Sequence, residues 1–212
     1  MGSDLSIYHN GTHNYIQGST SSDLIISNNG NFIVQTDDDE FCLRGIKNAY
    51  VDLYYNGSKK FETLNTGVNI TGVTSTTTLT VGPGLIQENL FTEASALTGA
   101  GNVDILTRGT VQYYTANSSG TFTLNMRGNA STTFNSLMHI GQTTVFTLYS
   151  AQNNASYYLT DFLIDGSSQT EKWNGGSAPS AGTASGVDVY TFNVMKTADA
   201  TFTVFATYSN FA

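Results

Sequence analysis

An all-β fold, with N-terminal β-hairpin repeats and a C-terminal antiparallel β-sandwich of jelly-roll type, is predicted by three observations on the 212-residue sequence. First, Val, Ile, Thr, Tyr and Phe, which suit a pleated surface, dominate over the straight-chain residues that long helices need. Second, Asn-Gly pairs sit between β-rich runs in the first third of the chain, where such a pair favours a two-residue turn. Third, about eight short apolar-alternating runs, separated by Gly, Asn and Ser, fill the rest. Aromatic residues at 12% set the chain apart from disordered sequences.

Taken in order, residues 1–3 ("MGS") read as a cloning remnant and residues 4–81 as a hairpin module. The module holds three related segments, "DLSIYHNGTHNYIQ", "DLIISNNGNFIVQ" and "VDLYYNGSKKFET". Two-residue turns at Asn10-Gly11 and Asn29-Gly30 would set Leu5 opposite Ile16, Ile26 opposite Ile33 and Ile25 opposite Val34. A turn at Asn56-Gly57 sets Tyr54 against Lys59 and Leu53 against Lys60, the pattern of an edge with one solvated strand. The uncharged run from Asn65 to Thr80 suits an extended connector. Gly-Pro-Gly at 82–84 breaks the chain.

Residues 82–101 are expected to be a linker, with "LIQENLFTEASALTG" a short helix or irregular. The sandwich is expected over 102–212, with strands near 102–107, 110–116, 120–127, 132–139, 143–150, 157–165, 187–196 and 200–208. Alternation puts Phe122, Leu124 and Met126 on one face, and Phe202, Val204 and Ala206 on another.

Short two-stranded hairpins cannot build a monomeric core, because each leaves an apolar stripe open to water. Three copies about an axis would cover the stripes, so a homotrimer is expected.

The net charge of −8 and the lack of any basic cluster larger than Lys59-Lys60 argue against nucleic acid. No apolar run approaches the length of a membrane span, so a soluble product without membrane insertion is expected. The single cysteine, Cys42, excludes an intrachain disulfide and a multi-cysteine zinc site, and between Phe41 and Leu43 it reads as a small buried hydrophobe.

No catalytic residue, cofactor or metal is assigned. His9 and His13 flank the first turn, but in the expected register they point to opposite faces, so only symmetry could gather them around an ion. "TDDDE", residues 36–40, lacks the spacing of a calcium loop and reads as a solvated turn, with weak calcium binding as the alternative. Asp161, Asp165, Glu171, Asp188 and Asp199 have no spacing that marks an acid pair, and His139 reads as a strand residue. Trp173, in the loop "EKWNGGSAPSAG", fits either a plug at the end of the sandwich or an exposed sugar-stacking platform. Tyr157 and Tyr158 alternate, so that one enters the core while the other stays wet. These three aromatics are the candidate binding residues.

Two segments resemble tail-fibre-like structural proteins of marine tailed bacteriophages, especially phages of cyanobacteria. "DLYYNGSKKFETLNTGVNITG" is similar to their repeated unit of strand, turn, S-K-K, E-T and T-G-V, with "DLSIYHNGTHNYI" and "DLIISNNG" like the preceding units. The segment from Leu163 to Ala212 is similar to a C-terminal domain frequent in such virion proteins. The resemblance implies a homotrimer on the virion exterior, contacts with other virion proteins, no enzymatic activity, and loops that touch a host-surface glycan or protein. Only one complete S-K-K unit is present, which points to a short appendage, or a tagged fragment, instead of a long shaft. A tail fibre or receptor-binding appendage is the first expectation and a head fibre or capsid decoration protein the alternative. A polysaccharide depolymerase ranks behind both, since it would need acidic pairs in a groove.

Overall fold

The computed structural model describes residues 5–18, 23–36, 38–72, 74, 79 and 86–212. Residues 1–3 and the Gly-Pro-Gly break at 82–84 lie outside the described residues. The all-β expectation holds, and the chain divides into two compact units, Met1–Thr80 and Val81–Ala212.

In the first unit, β1 (Leu5–His9) and β2 (Asn14–Gly18) form an antiparallel ribbon. Ile7 faces Ile16 and Leu5 faces Gly18, so the register is two residues from the expected one. The cause is the Asn10 side chain, whose Oδ1 accepts hydrogen bonds from the amides of Thr12 and His13 at 3.0 and 2.8 Å and lengthens the turn. A two-residue shift keeps every side chain on its face, so the apolar stripe survives. His9 now faces Asn14, and His13 lies in the turn with its ring edge-on to Tyr15.

The hairpin expected at Asn29-Gly30 does not form. Residues 23–28 carry no strand, and the Asn28 side chain accepts from the Gly30 amide at 2.7 Å, closing a local loop. Instead β3 (Phe32–Gln35) pairs with β4 (Phe41–Gly45) across the acidic turn, where the Thr36 amide donates to the Glu40 carbonyl at 2.9 Å.

At Asn56-Gly57 the expectation holds: φ values of 49° and 67° suit a type I′ turn, and Tyr54 faces Lys59. A bulge then sets Leu53 against Phe61 instead of Lys60, which matches apolar with apolar. β5 (Val51–Tyr55) and β6 (Ser58–Leu64) are interior strands, not an edge, because β7 (Gly67–Ile70) forms from the expected connector. The result is a five-stranded meander in the order β3-β4-β5-β6-β7.

Cross-strand pairing places Val34, Leu43, Leu53, Phe61 and Ile70 in one row across this sheet. Phe32, Val51 and Val68 share the face, two residues along their strands. Leu53 and Ile70 are 42% and 45% exposed, and Asp52 is the one buried residue among those described in this unit. Cys42 is exposed, contrary to expectation: the register passes from Val34–Leu43 to Gln35–Phe41, which leaves Cys42 as the extra residue of a bulge.

The opposite face carries the ionic residues of the S-K-K unit. Asp52, beside Arg44 in the register, bonds the Arg44 guanidinium at 2.8 Å and the Tyr54 hydroxyl at 3.0 Å, with Lys59 Nζ 3.6 Å away. Arg44 stacks over Phe41 and Tyr54, and Lys59 pairs with Glu62. Burial pushes the Asp52 carboxyl upward, but the bonds to Arg44 and Tyr54 and the charge of Lys59 outweigh it and hold it below 3.8. A depressed carboxyl contributes stability above its unfolded pKa and loses it as the pH falls through the folded value. Acidification below about pH 4 is therefore expected to lower amide protection in β4–β6, measured relative to the intrinsic exchange rate at each pH, and Asp52→Asn should remove that pH dependence.

The second unit begins earlier than expected. The segment assigned to a linker or helix holds β8 (Leu90–Glu93) and the start of β9 (Gly99–Asp104). They are followed by α1 (Ile105–Arg108), β10 (Val111–Tyr114), β11 (Phe122–Arg127) and α2 (Phe134–Leu137), and then by β12 (Thr143–Gln152) and β13 (Leu159–Ile164). β14 (Ser167–Ser168), β15 (Glu171–Trp173), β16 (Gly186–Ala198) and β17 (Thr201–Phe211) complete the unit.

One sheet has the order β15-β17-β16-β12-β10-β8 and the other β14-β13-β11-β9. From β8 to β13 the chain alternates between the two sheets, so each strand lies parallel to the one two elements away. This mixed, coil-like winding replaces the antiparallel jelly-roll expectation. Only β12, β16 and β17 make a long antiparallel set.

The strand expected over 132–139 is instead α2, because Thr133 caps it from Ser136 at 3.2 Å and Asp165 accepts from the amides of Phe134 and Asn135. His139 is exposed in the turn beyond it.

Phe122, Leu124 and Met126 face inward as expected, as do Val204 and Ala206, whereas Phe202 is only partly buried. The two sheets meet through Phe162 and Phe192, stacked at 4.0 Å with 7° between their planes. With Phe146, Leu148, Tyr190 and Val194, these residues form the core.

Candidate functional site

The candidate site lies beside this core, where β13 and β15 line a cleft of about 170 Å³. Trp173, at the end of β15, packs edge-to-face against Phe192 with 6.0 Å between centroids, and also lines the cleft. It thus touches the core, as a plug would, and the surface. Tyr158, just before β13, forms part of the same lining. Tyr157 does not; both tyrosines are half-buried, so neither is the wholly wet member of the pair.

The cleft also holds Asp161 and Glu171, a juxtaposition that sequence reasoning missed. The signal was Asp165-Gly166, whose φ values of 50° and 82° suit a type I′ turn. That turn sets Ser167 against Ile164 and Ser168 against Leu163, folding the chain back alongside β13. Glu171 Oε1 accepts from the Phe162 amide at 3.1 Å, and Asp161 Oδ1 accepts from the Ser168 hydroxyl at 2.8 Å. Burial pushes the Glu171 carboxyl above 4.5, and the nearby Asp161 charge adds to this, against hydrogen bonds that pull it down.

The outer wall of the cleft includes Ala178 and Pro179, in the loop between β15 and β16. Buried Asp188 pins that loop: its carboxylate accepts from the Thr183 amide at 3.1 Å and the Tyr208 hydroxyl at 2.9 Å. The Gly182 amide donates to the Ala155 carbonyl at 2.8 Å. Burial raises the Asp188 carboxyl above 3.8, so its effect on stability runs opposite to that of Asp52: it favours folding most below the unfolded pKa and loses this as the pH rises through the folded value.

Gly182 is required by close approach. A Cβ there would overlap the Tyr157 carbonyl oxygen and lie 2.7 Å from Asp188 Oδ2. Gly182→Ala is expected to cost about 1–3 kcal/mol in a denaturant titration. It should also shift Trp173 emission to the red as the loop lifts.

No protein-family model, curated protein or solved structure matches this chain. Among the described residues, no three His, Cys, Asp or Glu side chains converge as a metal site would require, and no helix is long and apolar enough to cross a membrane. His9 bonds Asn14 through its ring Nδ1 at 3.1 Å, and the acidic turn forms internal bonds such as Gln35 to Asp39 at 2.7 Å.

Proposed function

We propose that the chain is a non-enzymatic structural protein of a phage virion, a tail fibre or receptor-binding appendage that assembles as a homotrimer and attaches to a host-surface glycan or protein. The observation that carries this reading is the uncovered apolar face of the meander, from Phe32 and Val34 across Leu53 to Val68 and Ile70. Monomeric soluble proteins rarely leave such a contiguous apolar patch in water. Three copies around an axis would bury their faces against one another and leave the ionic faces, with Arg44, Lys59 and Glu62, toward solvent. The segment that resembles the fibre repeat coincides with β5–β7, which supply Leu53, Phe61, Val68 and Ile70 to that face.

The alternative is a head fibre or capsid decoration protein, which would use the same trimeric association. Antibodies raised against the chain distinguish the two on intact particles: gold label at tail tips is the expected result, label over the head favours decoration, and unlabelled particles overturn the virion reading. Glycan hydrolysis that Glu171→Gln abolishes would favour a depolymerase instead; none is expected.

A further inference from the structure

We infer that the cleft between β13 and β15 is a subsite for a single neutral pyranose ring, with Asp161 and Glu171 as the acceptors for its hydroxyl groups. The inference rests on the adhesive reading above and names the ligand class and the polar residues of that site. The walls are of two kinds. Trp173, Tyr158 and Pro179 present apolar surface, while Thr160, Asp161 and Glu171 add polar groups to the same lining. A pyranose has the complementary build, a face of C–H groups and an edge of hydroxyl donors, and an aromatic body with a polar rim suits it.

The carboxylates are oriented by protein donors, Glu171 by the Phe162 amide and Asp161 by the Ser168 hydroxyl. A carboxylate has about four acceptor sites, so both keep capacity for a ligand. Bonds from neutral donors to a charged acceptor are stronger than those between neutral partners. The volume of about 170 Å³ is below the range of drug-sized pockets and suits one ring, not an oligosaccharide. Two carboxylates in so small a cleft repel sialic and uronic acids. The positioning residue is Asp188, which holds the loop carrying Pro179 without lining the cleft.

Trp173 is the sole tryptophan of the 212-residue chain, so its intrinsic fluorescence reports this cleft. Titration with methyl glycosides of glucose, galactose and mannose should give, for at least one of them, a saturable change with a Kd on the order of 1–10 mM. Asp161→Asn and Glu171→Gln should each weaken it about tenfold, with an unchanged thermal melt showing that the fold is intact. A flat response to all three glycosides up to about 100 mM, roughly ten times the weakest expected Kd, overturns the inference. So does an equal response to sialic acid, or a response to choline alone, which would mark an ammonium cage. Light scattering on the same sample reads assembly separately, so a trimer with an unresponsive Trp173 sinks the subsite and leaves the fibre reading standing.

Discussion

Leu53→Glu is expected to convert the proposed trimer into monomers. Leu53 lies mid-row between Leu43 and Phe61 on the open face of the meander and is 42% exposed in the single chain. A surface substitution of this kind changes the stability of one chain by about 0.5 kcal/mol or less. In the assembly, symmetry counts the loss three times. At about 1.5–3 kcal/mol for burying one leucine, three copies lose roughly 5–9 kcal/mol before the desolvation of three carboxylates is added. Asn65→Glu, in the turn between β6 and β7, introduces the same charge away from the apolar row and should leave the trimer intact. Sedimentation velocity on the two variants compares them directly.

Phe192→Ala is expected to destabilise the second unit by about 3–5 kcal/mol, lowering its melting temperature by roughly 10–20 °C. Phe192 is fully buried, stacks on Phe162 and Phe146, and meets the edge of Trp173. Its removal opens a cavity at the junction of the two sheets and takes away the backing of Trp173, so the emission spectrum should shift with the melt. Phe211→Ala, at the exposed end of β17, serves as the comparison and should change the melt little.

The two predictions draw on different kinds of sequence signal. Inward-facing residues such as Phe122, Leu124 and Met126 were legible because period-two alternation fixes which face a side chain takes. Alternation does not fix which strand lies alongside, so the parallel pairing of β11 with β9 and β13 was invisible. Asn-Gly turns show a similar limit. Asn56-Gly57 formed its two-residue turn, whereas at the other two pairs an asparagine side chain bonded nearby amides and captured the loop. α2 was hidden for a different reason: besides the local Thr133 cap, two of its first amides are held by Asp165, distant in sequence.

At the candidate site, Trp173 and Tyr158 were visible as unusual aromatics. Asp161 and Glu171 were not, because their meeting depends on the fold-back at Asp165-Gly166. Cys42 was misjudged from its neighbours in sequence, which do not reveal the bulge that leaves it unpaired between Leu43 and Phe41. The exposed apolar face of the meander is the feature on which the functional account turns.

The most direct test of that account is the mass of the 212-residue chain in solution at micromolar concentration, measured by light scattering after size exclusion. The account predicts a single species at three times 22.7 kDa. A clean monomer of 22.7 kDa would contradict it, since the face around Leu53 would then be stable in water without a neighbour.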